Sequence, residues 1–108
     1  MKDLFEEQVE NLSEAHFLIL YWAAQGEARQ AKYNITNCFD DLKSCGITRT
    51  KQTAVAAVEA LCALRFAALR GEGNRRSLYI SRYGARALEA LVLRQKFTPR
   101  PSAYLEGL

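Results

Sequence analysis

Apolar residues come in clusters whose spacing changes along the chain. Leu4, Phe5, Val9 and Leu12 stand among acidic residues at helical spacing and predict a short amphipathic helix over 3–12. Ser13 is placed to cap the next helix. From Glu14 to about Gln25 the run His16-Phe17-Leu18-Ile19-Leu20-Tyr21-Trp22-Ala23-Ala24 is apolar nearly all round, as in a helix enclosed by a core, and Gly26 is expected to end it. After a polar stretch over 27–34, Asn34 or Thr36 can cap a helix bearing Cys38, Phe39, Leu42 and Cys45 on one face. Gly46 then falls where a left-handed cap is needed. Thr48 or Thr50 can cap a third helix with Ala54, Val55, Val58, Leu61 and Cys62 turned inward. Two helices joined through Cys45-Gly46-Ile47-Thr48 fit a helix-turn-helix.

Beyond that helix the period shortens. Phe66–Arg70 and Ser77–Ile80 read as two strands, and Gly71-Glu72-Gly73-Asn74-Arg75-Arg76 between them as the turn of a β-hairpin. Ser81 caps a last helix, Arg82 to about Lys96, with Tyr83, Ala87, Leu88, Leu91 and Val92 inward and Pro99 and Pro101 as its stop. The tail, 98–108, is expected to be loose or packed on a partner. The fold class is therefore mainly α with a small β-hairpin (α+β), in the order α-α-α-β-β-α. An extra N-terminal helix and a short strand near 47–48 complete the expectation.

With 108 residues, the chain is read as one domain over 1–108, with segments 1–12 and 97–108 as candidate dimerisation elements. An apolar content of 49% is enough to close a core without disulfide or metal staples. No apolar run approaches the length of a membrane span. The acidic opening Met1–Glu7 resembles neither a secretory signal nor a transit peptide, so a small cytoplasmic domain without membrane contact is expected. Three cysteines (Cys38, Cys45, Cys62) and one histidine (His16) cannot supply the four ligands of a tetrahedral zinc site, so no metal or cofactor is expected. A thiol switch between Cys38 and Cys45 is the minority reading of the cysteines. There is no Ser/His/Asp logic, no P-loop and no G-x-G-x-x-G, and the chain is not read as an enzyme.

Charge changes the picture. Residues 1–64 hold six Lys/Arg against nine Asp/Glu, whereas 65–108 hold nine against three. Eight of those nine are arginines, whose planar fork suits phosphate. A one-sided basic half points to a polyanion, against the plainer reading of a solvated surface.

Residues 48–92 resemble the winged helix-turn-helix domain of MarR-type and PadR-type bacterial transcriptional regulators. The matching pieces are Thr50-x-x-Thr53-x-Val55-x-x-Val58-x-x-Leu61, the arginine-bearing hairpin, and Leu78-Tyr79-Ile80-Ser81-x-x-Gly84-x-x-x-Leu88. Two departures stand out: Leu64-Arg65-Phe66 replaces the usual glycine before the wing, and the chain is shorter than most MarR-type proteins. The resemblance implies a regulator of double-stranded DNA acting as a homodimer, with the third helix in the major groove. Arg49 could then pair with guanine, Gln52 with adenine and Thr53 with a phosphate or thymine methyl, while Lys51, nearer the buried edge, meets a phosphate. Arg75 and Arg76 would enter the minor groove or clamp phosphates, flanked by Arg70 and Arg82. The competing readings are a protein-binding adaptor or antirepressor that leaves DNA alone, and a plasmid or phage replication or maintenance DNA binder. The identity of any small-molecule effector is open.

Overall fold

The computed structural model describes residues 3–71 and 76–108. Eight elements run in order: α1 (Leu4–Glu10), α2 (Glu14–Ala28), α3 (Ile35–Ser44), α4 (Lys51–Ala63), β1 (Ala67–Arg70), β2 (Ser77–Ile80), α5 (Arg82–Arg94) and α6 (Ala103–Glu106). The expected order holds, preceded by the extra N-terminal helix and followed by one short helix in the tail. The strands form an antiparallel hairpin in which Ala67 faces Ile80 and Arg70 faces Ser77.

The middle of the molecule is α2. Phe17, Leu18, Ile19, Leu20 and Trp22 are all fully buried, as a helix apolar on every side requires. Ser13 accepts from the His16 N–H, and His16 Nδ1 accepts from the Ser13 N–H, so the lone histidine closes a capping box. Gly26 does not end this helix. It lies inside and is buried where Tyr33 crosses the helix, so closely that a Cβ there would sit 3.2 Å from Tyr33 Cβ.

Three further expectations change. The short strand is not at 47–48: the third strand position is Asn34, bridged to Ser77, while the Leu78 N–H donates to the Tyr33 carbonyl at 2.7 Å. Residues 33–34 take that place because they enter α3 extended, with Asn34 as its N-cap. The last helix stops at Arg94, where Gln95 turns left-handed at φ 52°, before either proline is reached. Its inward stripe is Gly84, Ala87 and Leu91, which leaves Val92 a quarter-turn away and 47% exposed. Tyr83, 37% exposed, lies along the edge with its ring 4.9 Å from Phe5 and 5.3 Å from Phe66.

The tail is not loose either. Its hydrogen bonds run to its own chain: Trp22 Nε1–H donates to the Arg100 carbonyl at 2.8 Å, and Leu105 is 1% exposed. Asp41, buried on α3, accepts from the Tyr33 hydroxyl, the Ser102 hydroxyl and the Tyr104 N–H. Burial first, then the neighbouring Cys38 and Asp41, push the Tyr33 phenol well above its ordinary range, so it stays a donor. The same tail braces the helix-turn-helix, since the Arg100 guanidinium donates to the Cys45 carbonyl at the end of α3.

The hairpin joins α5 by a close approach that only glycine allows. A Cβ on Gly84 would lie 1.9 Å from the Phe66 carbonyl oxygen. Gly84→Ala should therefore cost about 3 kcal/mol or more by urea denaturation. Ala85→Gly, at the exposed neighbour, should cost only about 1 kcal/mol. Equal losses at the two positions would show that this corner is not tightly packed.

Candidate nucleic-acid interface

Two left-handed corners set the candidate surface. After α3, Gly46 at φ 74° donates to the Lys43 carbonyl, and Ile47 N–H reaches back to Leu42, the paired bonds of a Schellman motif. After α4 the same pair recurs, Arg65 to Cys62 and Phe66 to Leu61, with Arg65 itself at φ 66°. The glycine missing from the resemblance is thus an arginine held in the conformation that glycine would take.

Thr50, not Thr48, caps α4: its Oγ1 accepts from the Thr53 N–H at 3.2 Å and meets the Thr53 hydroxyl at 2.9 Å. Thr48 is buried, its hydroxyl without a partner among the described residues. Ala54, Val58 and Leu61 anchor α4 to the core, with Val55 and Cys62 half-buried beside them. Arg49, Lys51, Gln52 and Thr53 are all exposed at its N-terminal end. Lys51 is therefore not on the buried edge; one residue before Gln52, it shares with it a shallow depression of about 380 Å³ lined also by Val55, Ala56 and Glu59.

The structure brings Arg76 to an open cleft of about 680 Å³ between α4 and the hairpin, where Arg65 joins it over a floor that includes Cys62, Ala68 and Leu69. Burial raises the Cys62 thiol above its ordinary range, partly opposed by the Arg76 charge. Arg70 lies over the Tyr79 ring with its guanidinium carbon 5.1 Å from the centroid, and shares a second recess with Lys32. Arg82 is exposed in the first turn of α5 and lines neither cavity. Arg75 lies outside the described residues.

Sequence reasoning misses Lys32, Arg65 and Glu59. Lys32 reads as loop until the Asn34–Ser77 bridge places it by the hairpin. Arg65 is visible only as the missing glycine. Glu59 is exposed on α4 and puts a carboxylate toward its C-terminal half, so the cationic part of the helix is its N-terminal half. A Cys38–Cys45 pair does not fit a disulfide: seven residues along a helix separate the two by about 10 Å. Cys38 is also fully buried, and burial with Asp41 nearby pushes its thiol up to about 12. No group of side chains suited to a metal ion occurs among the described residues, and no described helix is long and apolar enough to cross a membrane.

The arrangement of a helix-turn-helix, a bridged third strand position and a two-stranded wing packed on α5 is a winged-helix α+β fold. The structure is similar to that of TubR from Bacillus megaterium pBM400, with a TM-score of 0.69 and 24% identity, covering 84% of this chain and 98% of that one. No family model matches the chain, and no curated protein matches it. The MarR-type and PadR-type resemblance thus stands at the level of the fold.

Arg65 supplies a test of the local geometry. A non-glycine residue in the left-handed region is disfavoured by about 1–2 kcal/mol, offset in part by the greater unfolded-state entropy of glycine. Arg65→Gly should raise the stability by up to about 1 kcal/mol, read as an increase in Tm. A lower Tm would show that the Arg65 side chain contributes packing that outweighs its backbone cost.

Proposed function

We propose that this chain is a DNA-binding regulator that grips duplex DNA as a homodimer, α4 entering the major groove and the hairpin lying on the flanking phosphates and minor groove. The observation that carries the reading is the exposed, carboxylate-free end of α4 (Arg49, Lys51, Gln52, Thr53) beside a hairpin that bears Arg70 and Arg76. In this reading Arg49 and Gln52 contact base edges, Thr53 and Lys51 meet the backbone, and Arg75, Arg76 and Arg82 add phosphate contacts. The two-fold pair doubles the contacts of a small module and would hold its reading helices about 34 Å apart, in successive major grooves. Leu4, Val92, Leu93 and Leu108 are exposed apolar residues available to that pairing. No catalytic role is assigned, and a cytoplasmic location goes with the reading.

The likeness to TubR is one of fold, and a plasmid or phage replication or maintenance DNA binder is the second reading that the same surface supports. The adaptor reading has its support in the alanine-rich outer face of α4.

Fluorescence anisotropy across a salt series, on a selected and a scrambled duplex, tests the proposal. Replacing Arg75 and Arg76 with Ala should weaken binding to both duplexes and lower the magnitude of the salt slope by about 0.9 for each phosphate left unneutralised. Gln52→Ala should cost about 1–3 kcal/mol on the selected duplex, relax the preference and leave the slope nearly unchanged. Unchanged binding by the double variant would remove the wing from the interface and put the adaptor reading first.

A further inference from the structure

The recess that holds Arg70 is made of donors. Its volume is about 480 Å³ and its lining is Lys32, Asn34, Arg70, Gly71, Ser77 and Tyr79, with no carboxylate among the described residues. It shares no residue with the Arg65–Arg76 cleft, which carries Glu59. Several donors here are uncommitted. The Asn34 carboxamide oxygen caps α3 by accepting from the Asn37 N–H, which leaves its amide nitrogen without a partner among the described residues. Ser77 is 8% exposed and its hydroxyl has no partner among the described residues, although it lines the recess. The Ser77 hydroxyl is not sealed from solvent, so it is open to donate into the recess.

The recess is also pre-formed. The Asn34–Ser77 bridge and the Leu78 N–H bond to the Tyr33 carbonyl fix the loop that carries Lys32 against β2. Tyr79 holds the Arg70 guanidinium over its ring. Asn34 opens α3, a helix of 10 residues, so the partial positive charge of its N-terminus lies at the same place. Glu27, five residues before Lys32, accepts instead from the Ile80 N–H at 3.1 Å.

We propose that this recess seats one backbone phosphate of the bound duplex, held by Lys32 and Arg70 and hydrogen-bonded by Ser77 and Asn34. It would be a second anchoring point, separate from the tip of the wing. The inference rests on the DNA-binding reading and extends the interface to a residue outside the helix-turn-helix and the hairpin. A single phosphate there fixes the register of the wing along the groove without reading a base.

The test compares Lys32→Gln and Ser77→Ala with the parent chain, using the selected duplex and a set of duplexes each carrying one neutral methylphosphonate. Lys32→Gln should reduce the magnitude of the salt slope by about 0.9 per chain, or about 1.8 for the dimer, so that raising salt from about 50 to about 200 mM weakens the variant about tenfold less than the parent. One methylphosphonate position in each half of the duplex should weaken the parent clearly more than it weakens Lys32→Gln, in which Arg70 remains. Ser77→Ala should weaken binding at that same position while keeping the parent's slope. Parent binding with an unchanged slope and no such position for Lys32→Gln would overturn the recess and spare the DNA-binding reading. A parent that binds no duplex would overturn both. A third arm titrates inorganic phosphate alone: saturable binding abolished in Lys32→Gln, with DNA binding unaltered, would assign the recess to a free anion and overturn the proposal.

Discussion

The corner where the hairpin meets α5 governs the geometry of everything that could touch a ligand. Ser81 makes four bonds there: its N–H donates to the Phe66 carbonyl, its hydroxyl donates to the Arg65 carbonyl and accepts from the Gly84 N–H, and its carbonyl accepts from the Ala85 N–H. Gly84 lets the Phe66 carbonyl rest on the first turn of α5. One serine thus ties the end of α4, the start of β1 and the start of α5 together. Because Ala67 pairs with Ile80 next to this clasp, the register of the whole hairpin depends on it. The direction in which the wing projects from α4 is set here, in residues that carry no part of the reading themselves.

A second clasp sits on the other side of the core. Asp41 draws Tyr33, Ser102 and the Tyr104 N–H onto α3, while Arg100 closes the Cys45 carbonyl and its Nη2 lies 3.7 Å from Glu14. A buried carboxylate with one donor removed would be costly, so the three bonds act as a set. The consequence for the interface is indirect. The helix-turn-helix is held from behind by the C-terminal segment, and the Gly46 turn is braced at its carbonyl end.

Much of this is legible in the residues. Ser13, Asn34, Thr50 and Ser81 cap the helices they precede, because a short side-chain oxygen ahead of an apolar run has one productive place to go. The motif Leu78-Tyr79-Ile80-Ser81-x-x-Gly84 marks the corner on which the wing depends. The points at which the sequence misleads have a common cause. Local pattern makes Gly26 a stop and Val92 a core residue, whereas Tyr33 crossing α2 and the 84-87-91 stripe of α5 decide otherwise. The tail reads as loose because its anchors, Trp22 and Asp41, lie 78 and 61 residues from Arg100 and Ser102. Lys32 escapes notice for the same reason: strand pairing at long range brings it to the hairpin. Of the candidate site, the end of α4 is legible from its helical wheel, and Arg70 and Arg76 from the hairpin. Arg65, standing where a glycine is expected, shows as an anomaly without a role.

The central claim is that the N-terminal half of α4 and the flank of the wing form one DNA-facing surface, with α2 and the tail behind it. Amide shift mapping by two-dimensional NMR during titration with a selected duplex tests it most directly. The account predicts the largest changes at Arg49, Gln52, Thr53, Lys32, Arg70 and Arg76, with Trp22, Ser102 and Leu105 nearly still. Changes concentrated on α1 and the exposed Val92–Leu93 stretch of α5, with Arg49 to Thr53 unmoved, would contradict it.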